Sequence, residues 1–567
     1  NLVTRTEGRG PNAARLRVRS TTGVANTAFS PQDAFWQQYG INVRGGDAAR
    51  AAQLGVTAGT VGALYPGADA GYVRANGSAR WITGNTSFRL TGRFLTERLG
   101  AGSNPFLTDS ALAIGDSGVL NPTVQSQAQS VTQYTLGATL RSAGSERWTH
   151  QLVAGVDGYS LSNVTNELTP FPSVTDSVLR ASSGRADRYS VRASSVARVP
   201  FTARSHGTWT FALEHAALRE SSPVPTFRGV GGVIRPVPGL DPVQWLTNTG
   251  VAGQGDLAFR NRFFLTAGVR VERSDAFVNG TRYTTLPLVG AAVVTDHGKT
   301  TLKWRASYGR GMRAPRTANR LSVQGGLRAV ATATVALASL APEEQAGVEG
   351  GFDLYVGQHF SLQATAFDQR ATGLIQQVAI PDTGRLGRRF LTFQYQNVGA
   401  IDNHGIELAA KAHAGRFTLR STLSVTESRV QQLAARYTGD LREGDRMLGV
   451  PRVTTSADVR WNARRWSVTV GAARASDWIE YDRVELARAY ANFDGDFVRL
   501  AGAELRGYWR KYDGVTRLRA GVTRELWAST TLTLTGENLL DVQRGEPDNV
   551  TIVPGRTVLL GLRAAIR

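Results

Sequence analysis

The sequence has no cysteine among its 567 residues, and this absence excludes several kinds of site. A disulfide scaffold, a thiolate metal centre and a cysteine nucleophile all require a thiol. Long apolar runs are missing as well. No stretch of about 18 uncharged hydrophobic residues occurs, which excludes a transmembrane helix. The chain is therefore neither a disulfide-rich domain nor a bundle of membrane helices.

Lysine is scarce, since it occurs only at positions 299, 303, 411 and 511, and arginine supplies the other 61 of the 65 basic residues. The net charge of +20 raises the question of nucleic-acid binding, because guanidinium groups bind phosphates. The arginines are spread along the chain, however, and no nucleic-acid-binding motif accompanies them. Codon usage in a high-GC genome explains the bias better, and we expect no nucleic-acid partner.

Motifs of enzymes and metal sites are also missing. The seven histidines are scattered without zinc-ligand spacing, and no Gly-x-Ser-x-Gly elbow occurs. The Gly-rich stretch 229–233 lacks the helix of a phosphate-binding loop, so we interpret it as structural. Asp494 and Asp496 could bind calcium, but Asp-Gly is also a common hairpin turn, and we favour the turn. We predict no catalytic residue, no metal site and no cofactor.

The dominant pattern in the chain is alternation of apolar and polar residues with a period of two. Residues 15–19, 86–94, 262–274, 301–311 and 515–526 show it clearly. Short turns alternate with long polar connections such as 98–128, 160–186 and 219–250. A soluble sandwich gives no reason for that asymmetry, and no repeat or change of composition marks a domain boundary. The pattern is typical of a membrane barrel, with short turns on the periplasmic side and long loops outside.

Several motifs, in order along the chain, resemble TonB-dependent outer-membrane receptors. The clearest lies near the end, where Glu537, Asn538, Leu539, Leu540 and Asp541 are followed by Pro-Gly-Arg at 554–556. The segments 265–274, 302–315, 342–355, 367–376 and 395–408 resemble successive barrel strands of the same family. The resemblance implies an all-β fold, a large closed antiparallel transmembrane barrel of about 22 strands. It also implies a location in the cell outer membrane.

A domain organisation and partners follow from this resemblance. Residues 1–13 resemble the end of an N-terminal plug domain with its linker, and residues 14–567 form the barrel. The chain opens without methionine or a signal peptide, so we expect most of the plug, and the segment that contacts the TonB energy-coupling complex, upstream of residue 1. The family would import a bulky nutrient, such as an oligosaccharide, a peptide or a metal chelate. Outer-membrane lipid and lipopolysaccharide would surround the barrel.

The subgroup and the function class are left open by the sequence. Residues 269–280 resemble SusC-type receptors, which work with a SusD-like surface lipoprotein, whereas siderophore or cobalamin receptors are alternatives. A structural or adhesin-type barrel without active transport is an alternative from another class. A β-barrel enzyme is less favoured because such barrels are usually much smaller.

Alternation also predicts which side chains line the lumen. Because an arginine at the bilayer midplane costs roughly 2–4 kcal/mol, the apolar phase of each strand should face lipid. The other phase then points inward. The predicted lumen-facing residues, which are also the candidate substrate-binding residues, are Arg89, Arg93, Arg305, Arg420 and Arg519, with Arg17 and Arg563 beside them. The predicted outward residues are Phe88, Leu90, Trp304, Leu419, Leu518 and Leu562.

Overall fold

The fold was analysed in a computed structural model, which describes residues 15–100, 105–106, 124–168, 177–221, 226–228, 234–236, 243–275, 283–314, 340–383, 389–491, 497–527, 529–543 and 547–566. Three predictions lie outside these residues: the plug remnant 1–13, the Gly-rich stretch 229–233 and the acidic pair at 494 and 496. No helix in the described part of the chain is long and apolar enough to cross a membrane.

Antiparallel strands make up almost all of the structure. The strands of the main wall are β1 (Arg15–Ala25), β2 (Ala34–Gly46), β3 (Arg50–Val61), β4 (Ala70–Thr83), β5 (Thr86–Gly100), β6 (Val124–Ala143), β7 (Trp148–Leu168), β8 (Ser177–Thr202), β9 (Ser205–Ser221), β12 (Val243–Phe259), β13 (Phe263–Ser274), β14 (Thr284–His297), β15 (Thr300–Arg313), β16 (Glu343–Val356), β17 (Phe360–Thr372), β20 (Gly399–Ala414), β21 (Phe417–Leu433), β22 (Val453–Asn462), β23 (Trp466–Ala475), β26 (Val515–Trp527), β27 (Thr530–Glu537) and β28 (Thr557–Ile566).

Smaller elements lie in the connections. The additional strands are β10 (Thr226–Arg228), β11 (Ile234–Pro236), β18 (Ile375–Thr383), β19 (Arg389–Asn397), β24 (Trp478–Tyr481) and β25 (Trp509–Tyr512). Helix α1 spans Arg483–Ala491, and two short 3₁₀ helices span Phe497–Leu500 and Gly502–Tyr508.

The wall closes on itself. Each strand pairs antiparallel with its neighbours in chain order, and the last strand, β28, pairs with β1 from Leu16–Ile566 to Ala25–Thr557. The result is a closed antiparallel barrel of 22 strands, which confirms the predicted fold class. Closure matters physically because a sheet edge in hydrocarbon would leave backbone groups without hydrogen-bond partners.

Connections alternate in length around the barrel. Two residues, Gly84 and Asn85, join β4 to β5, and two more, Gly298 and Lys299, join β14 to β15. Gly84 and Gly298 have φ angles of 55° and 58°, a left-handed conformation that glycine adopts without steric cost. At the other end of the strands lie the long connections, such as 434–452 and 476–514. The barrel therefore has a short-turn end and a long-loop end.

The two faces of the wall differ in chemistry. Directly opposed residues in antiparallel strands point to the same side. Pairing links Arg17 to Asn42, Gly55, Asn76 and Arg93 in turn, and this side is called the polar face. Exposed large hydrophobic side chains line the other side, the apolar face; they include Ile41, Val56, Phe94, Leu136, Val191, Val251, Trp304, Val459 and Leu560.

The Asn-Leu-Leu-Asp motif secures the seam where β28 meets β1. Asn538 is buried with a φ of 49°, donates to the carbonyl groups of Val542 and Pro554 at 2.9 and 3.0 Å, and accepts from the Val542 amide. Asp541 accepts from the Arg556 amide at 2.7 Å. The Asn26 amide, just beyond β1, donates to the Arg556 carbonyl at 2.9 Å. The motif thus holds the start of β28 in position beside β1 at the long-loop end.

Candidate functional site

The five predicted site residues all lie on the polar face. Arg89 and Arg93 are on β5, Arg305 is on β15, Arg420 is on β21 and Arg519 is on β26. Cross-strand pairing from strand to strand around the barrel connects them to a single face. The residues predicted to point the other way occupy the alternate positions, and Phe88, Leu90, Trp304, Leu419 and Leu562 are each at least 38% exposed on the apolar face.

Two of the five arginines, Arg420 and Arg519, lie near the same carboxylate, that of Asp458. Asp458 on β22 lies opposite Arg420 and opposite Gly471 on β23, and Gly471 lies opposite Arg519. The Arg519 guanidinium reaches across the glycine and contacts both Asp458 oxygens, with Nη2 at 2.6 Å from Oδ1 and 2.8 Å from Oδ2. A Cβ on Gly471 would lie 2.1 Å from Asp458 Oδ1, so the glycine makes room for this ion pair.

Arg305 makes a similar contact in a different part of the wall. Its Nε lies 3.3 Å from Oδ1 of Asp353 on the neighbouring strand β16, and its Nη2 hydrogen bonds with Thr365 on β17, across Gly351. Asp353 is buried, with 6% of its surface exposed. The positive charge of Arg305 is therefore balanced within the wall.

The same arrangement recurs at positions that the sequence did not identify. Arg19 donates from β1 to Thr57 Oγ1 on β3 at 2.9 Å, across Gly40 on β2. Arg270 on β13 contacts Glu214 on β9 at 3.2 Å, passing Gly250 on β12. In these cases a hydrogen bond of a charged side chain crosses one intervening strand at a glycine. Alternation alone could place these side chains on a face, but only the strand register shows which of them meet.

The remaining predicted arginines have a different environment. Arg89 lies directly opposite Arg80, so two positive charges face each other across β4 and β5. Arg93 and Arg420 form no side-chain hydrogen bond or ion pair with any other residue that the structure describes. Arg89 and Arg93 thus share one face of β5, four residues apart, Arg420 and Arg519 lie on either side of Asp458 and Gly471, and Arg305 lies in a separate part of the wall.

A shallow cavity lies over the Asp458 group. Its volume is about 410 Å³, and its lining includes Arg420, Asp458, Arg460, Arg519 and Glu537. These groups can donate and accept charge-assisted hydrogen bonds with a polar solute. Within the described residues, no group of three or more histidine, aspartate or glutamate side chains is arranged to hold a metal ion.

Loops at the long-loop end contact one another and are here called the loop platform (residues 434–452, 478–491, 497–512 and 547–551). At its centre the buried Asp440 carboxylate accepts from Tyr481 Oη and, at 2.7 Å, from Trp509 Nε1. Trp478 donates to the Pro547 carbonyl at 2.7 Å and stacks on Tyr512. These contacts tie three separate loops together.

Ion pairs continue this network and perturb its titrating groups. Burial alone would raise the pKa of Asp445, but the hydrogen bonds from Arg506 and from the Arg442 amide outweigh burial and lower it. The reverse holds for Glu480, whose pKa is raised because its burial is not offset by a strong cationic partner. Burial also raises the pKa of Tyr437 to about 12. These residues were not predicted, because they lie in connections without periodicity.

Comparison with known proteins places this architecture in a family. A sequence model described as "TonB dependent receptor-like, beta-barrel" matches residues 64–539. The chain belongs to the TonB-dependent receptor family. This result confirms the resemblance inferred from the motifs, and membership places the protein in the outer membrane.

Solved structures of members of this family superpose on nearly the whole chain. The siderophore receptor PirA from Acinetobacter baumannii matches with a TM-score of 0.71 and 13% identity, covering 99% of this chain and 81% of that one. The RagAB peptide transporter matches with a TM-score of 0.73 and 10% identity, covering 99% and 87%. The copper transporter OprC matches with a TM-score of 0.65 and 13% identity, again covering 99% and 81%. No curated protein matches the sequence.

Proposed function

We propose that this TonB-dependent receptor imports a bulky nutrient across the outer membrane through a plugged barrel. The proposal rests on the closed 22-strand barrel with its charged polar face. The chain also belongs to a family of TonB-dependent receptors. A barrel of this width encloses a lumen too large for side chains alone to fill. Import against a gradient then requires a plug and an energy source, which the TonB complex would supply.

In this proposal the polar face lines the lumen and the apolar face meets lipid. The cost of roughly 2–4 kcal/mol for each arginine at the bilayer midplane favours that orientation over the reverse. Arg89, Arg93, Arg305, Arg420 and Arg519 would then contact the plug or the passing solute. Asp458 and Asp353 hold two of these arginines in place, so Arg93 and Arg420 are the better candidates for solute contact.

Residues 1–13 would be the last part of the plug and its linker, and the barrel would begin at residue 14. The family and the solved structures are receptors and transporters, which supports an importer over an enzyme or an adhesin-type barrel.

The nutrient would be an oligosaccharide, a peptide or a metal chelate. RagAB is a peptide transporter, PirA is a siderophore receptor and OprC is a copper transporter, so the shared fold accommodates different cargoes. The likeness to RagAB, together with residues 269–280, supports the SusC-like alternative. In that case a SusD-like surface lipoprotein would cover the long-loop end, where the loop platform lies, while lipid and lipopolysaccharide surround the apolar face.

The test is a growth experiment in the source bacterium. A strain lacking the gene is compared with its parent on panels of single peptides, oligosaccharides and iron chelates, each with TonB intact and with TonB disabled. We expect one class of nutrient for which the deletion and the loss of TonB give the same growth defect. A structural or adhesin-type barrel would instead show normal growth on every nutrient and a defect in adhesion or envelope integrity.

A further inference from the structure

Positive charge on the polar face is concentrated in one part of the wall. This part, here called the basic sector, consists of seven adjacent strands, β28 and β1 to β6, which pair in that order around the seam. Strand β1 contributes Arg15, Arg17 and Arg19 to the polar face, β2 contributes Arg44, and β28 contributes Arg563.

The remaining strands of the sector also carry arginines on the polar face. Strand β4 adds Arg74 and Arg80, β5 adds Arg89 and Arg93, and β6 adds Arg141. The acidic residue that shares this face of the seven strands, among the residues described, is Glu97 on β5. The polar face of the basic sector thus carries ten arginines and one carboxylate. The sector is roughly 30 Å wide, since neighbouring strands are about 4.8 Å apart.

The rest of the polar face is mixed in charge. Carboxylates recur on it from β7 to β27, for example Asp157, Glu214, Glu272, Asp353, Asp458 and Glu537. Several of them hold an arginine of the same face, as Asp458 holds Arg519 and Glu214 holds Arg270. The positive charge there is balanced within the wall.

Three arginines of the basic sector contact uncharged groups. Arg19 donates to the Thr57 hydroxyl, Arg80 donates to the Ala48 carbonyl at 3.4 Å, and the Arg74 guanidinium lies 4.4 Å from the centre of the Tyr72 ring. Such contacts orient a guanidinium without neutralising it. Further around the sector, Arg44, Arg93, Arg141 and Arg563 have no ion pair with a carboxylate in the described part of the chain.

We infer that the basic sector is a binding track for a multiply anionic solute, one that carries several carboxylate or phosphate groups. Guanidinium groups bind both kinds of oxyanion in a two-pronged geometry, and a wall with one sign of charge concentrates the opposite ion beside it. This inference rests on the proposed function, because it takes the polar face to line the lumen, and it narrows the nutrient to an anionic class.

Calorimetry on the purified chain in neutral detergent tests the inference, with tripolyphosphate as the phosphate probe and citrate as the carboxylate probe. The test variant replaces three sector arginines (Arg44→Gln, Arg93→Gln and Arg563→Gln). The matched control removes the same charge from the mixed part of the same face (Arg188→Gln, Arg192→Gln and Arg198→Gln). Circular dichroism and thermal unfolding verify that both variants fold.

We expect the native chain to bind tripolyphosphate at low salt, and the test variant to bind at least tenfold more weakly. The control should change less than threefold, and citrate should show whether carboxylates suffice. Absence of binding to the native chain, or an equal loss in test and control variants, would overturn the inference. Either result would leave the proposed function intact if growth still depends jointly on this gene and on TonB.

Discussion

The glycine that lies under an ion pair offers a direct test of how the polar face is organised. Replacing Gly471 with alanine would place a Cβ 2.1 Å from Asp458 Oδ1 and 2.9 Å from Arg519 Nε. Neither distance is tolerable, so the ion pair must separate or the strand must shift. Gly309, on the polar face of β15, has no atom within 4 Å of an added Cβ and is the matched control.

The expected magnitude follows from the exposure of the pair. Arg519 is 53% exposed and Asp458 is 26% exposed, so solvent screens their attraction and the ion pair contributes at the upper end of about 0.2–1 kcal/mol. The general effect of replacing glycine with alanine, a stabilisation of about 0.4–1 kcal/mol through the unfolded chain, is common to both variants. Gly471→Ala should therefore be less stable than Gly309→Ala by about 1 kcal/mol.

Urea unfolding in lipid vesicles, followed by tryptophan fluorescence, measures this difference. In the Asp458→Ala background, where the pair is already lost, Gly471→Ala should cost much less than in the native chain. Equal stability of Gly471→Ala and Gly309→Ala would refute the reasoning, as would an unchanged cost in the Asp458→Ala background.

Three further outcomes are expected. Asn538→Ala should lower the free energy of unfolding by about 2–3 kcal/mol, because it removes three hydrogen bonds from a buried turn, whereas Leu540→Ala, at a half-exposed neighbour, should be nearly neutral by the same urea assay. The pKa of Asp445 is lower in the folded protein than in the unfolded chain, so the ionised carboxylate stabilises the fold above the unfolded pKa, and this stabilisation is lost as pH falls through the folded pKa. Limited proteolysis should therefore cleave loop 434–452 faster below about pH 3.8. The Asp445→Asn variant should not show this pH dependence. Burial raises the pKa of Glu480, so its ionised form destabilises the folded protein at pH 7, whereas at pH 4 the group is already protonated. Glu480→Gln should therefore raise the melting temperature at pH 7 but not at pH 4. An equal change at both pH values would exclude a charge effect.

Period-two alternation predicted the barrel because each wall strand has one polar face and one apolar face, and this difference is visible in the sequence of a single strand. On a strand such as β5, the apolar side chains Phe88, Leu90 and Phe94 share one face and polar residues occupy the other. The same alternation placed the five site arginines on a common face. These features are local to a strand, and the sequence carries them directly.

Contacts between strands were beyond the reach of the sequence. Asp458 and Arg519 are separated by 61 positions, and their ion pair depends on the register of three strands and on a glycine whose role appears only when they pair. The loop platform was not foreseen either. Its central contacts join Asp440 to Tyr481 and Trp509, and no periodic pattern connects such distant loop residues.

In the proposed orientation the polar face lines a water-accessible lumen, and the apolar face meets lipid. Because the chain has no cysteine, single cysteines can be introduced on β5 without background labelling. Thr91→Cys and Arg93→Cys test the polar face, and Leu90→Cys and Phe94→Cys test the apolar face.

Each protein is reconstituted into vesicles and treated either with a charged, water-soluble maleimide or with a small fluorescent one followed by a quencher fixed in the lipid tails. We predict that cysteines at 91 and 93 react with the charged reagent and resist the lipid quencher, while those at 90 and 94 show the reverse. Reactivity with the charged reagent at 90 and 94, together with quenching at 91 and 93, would contradict the account.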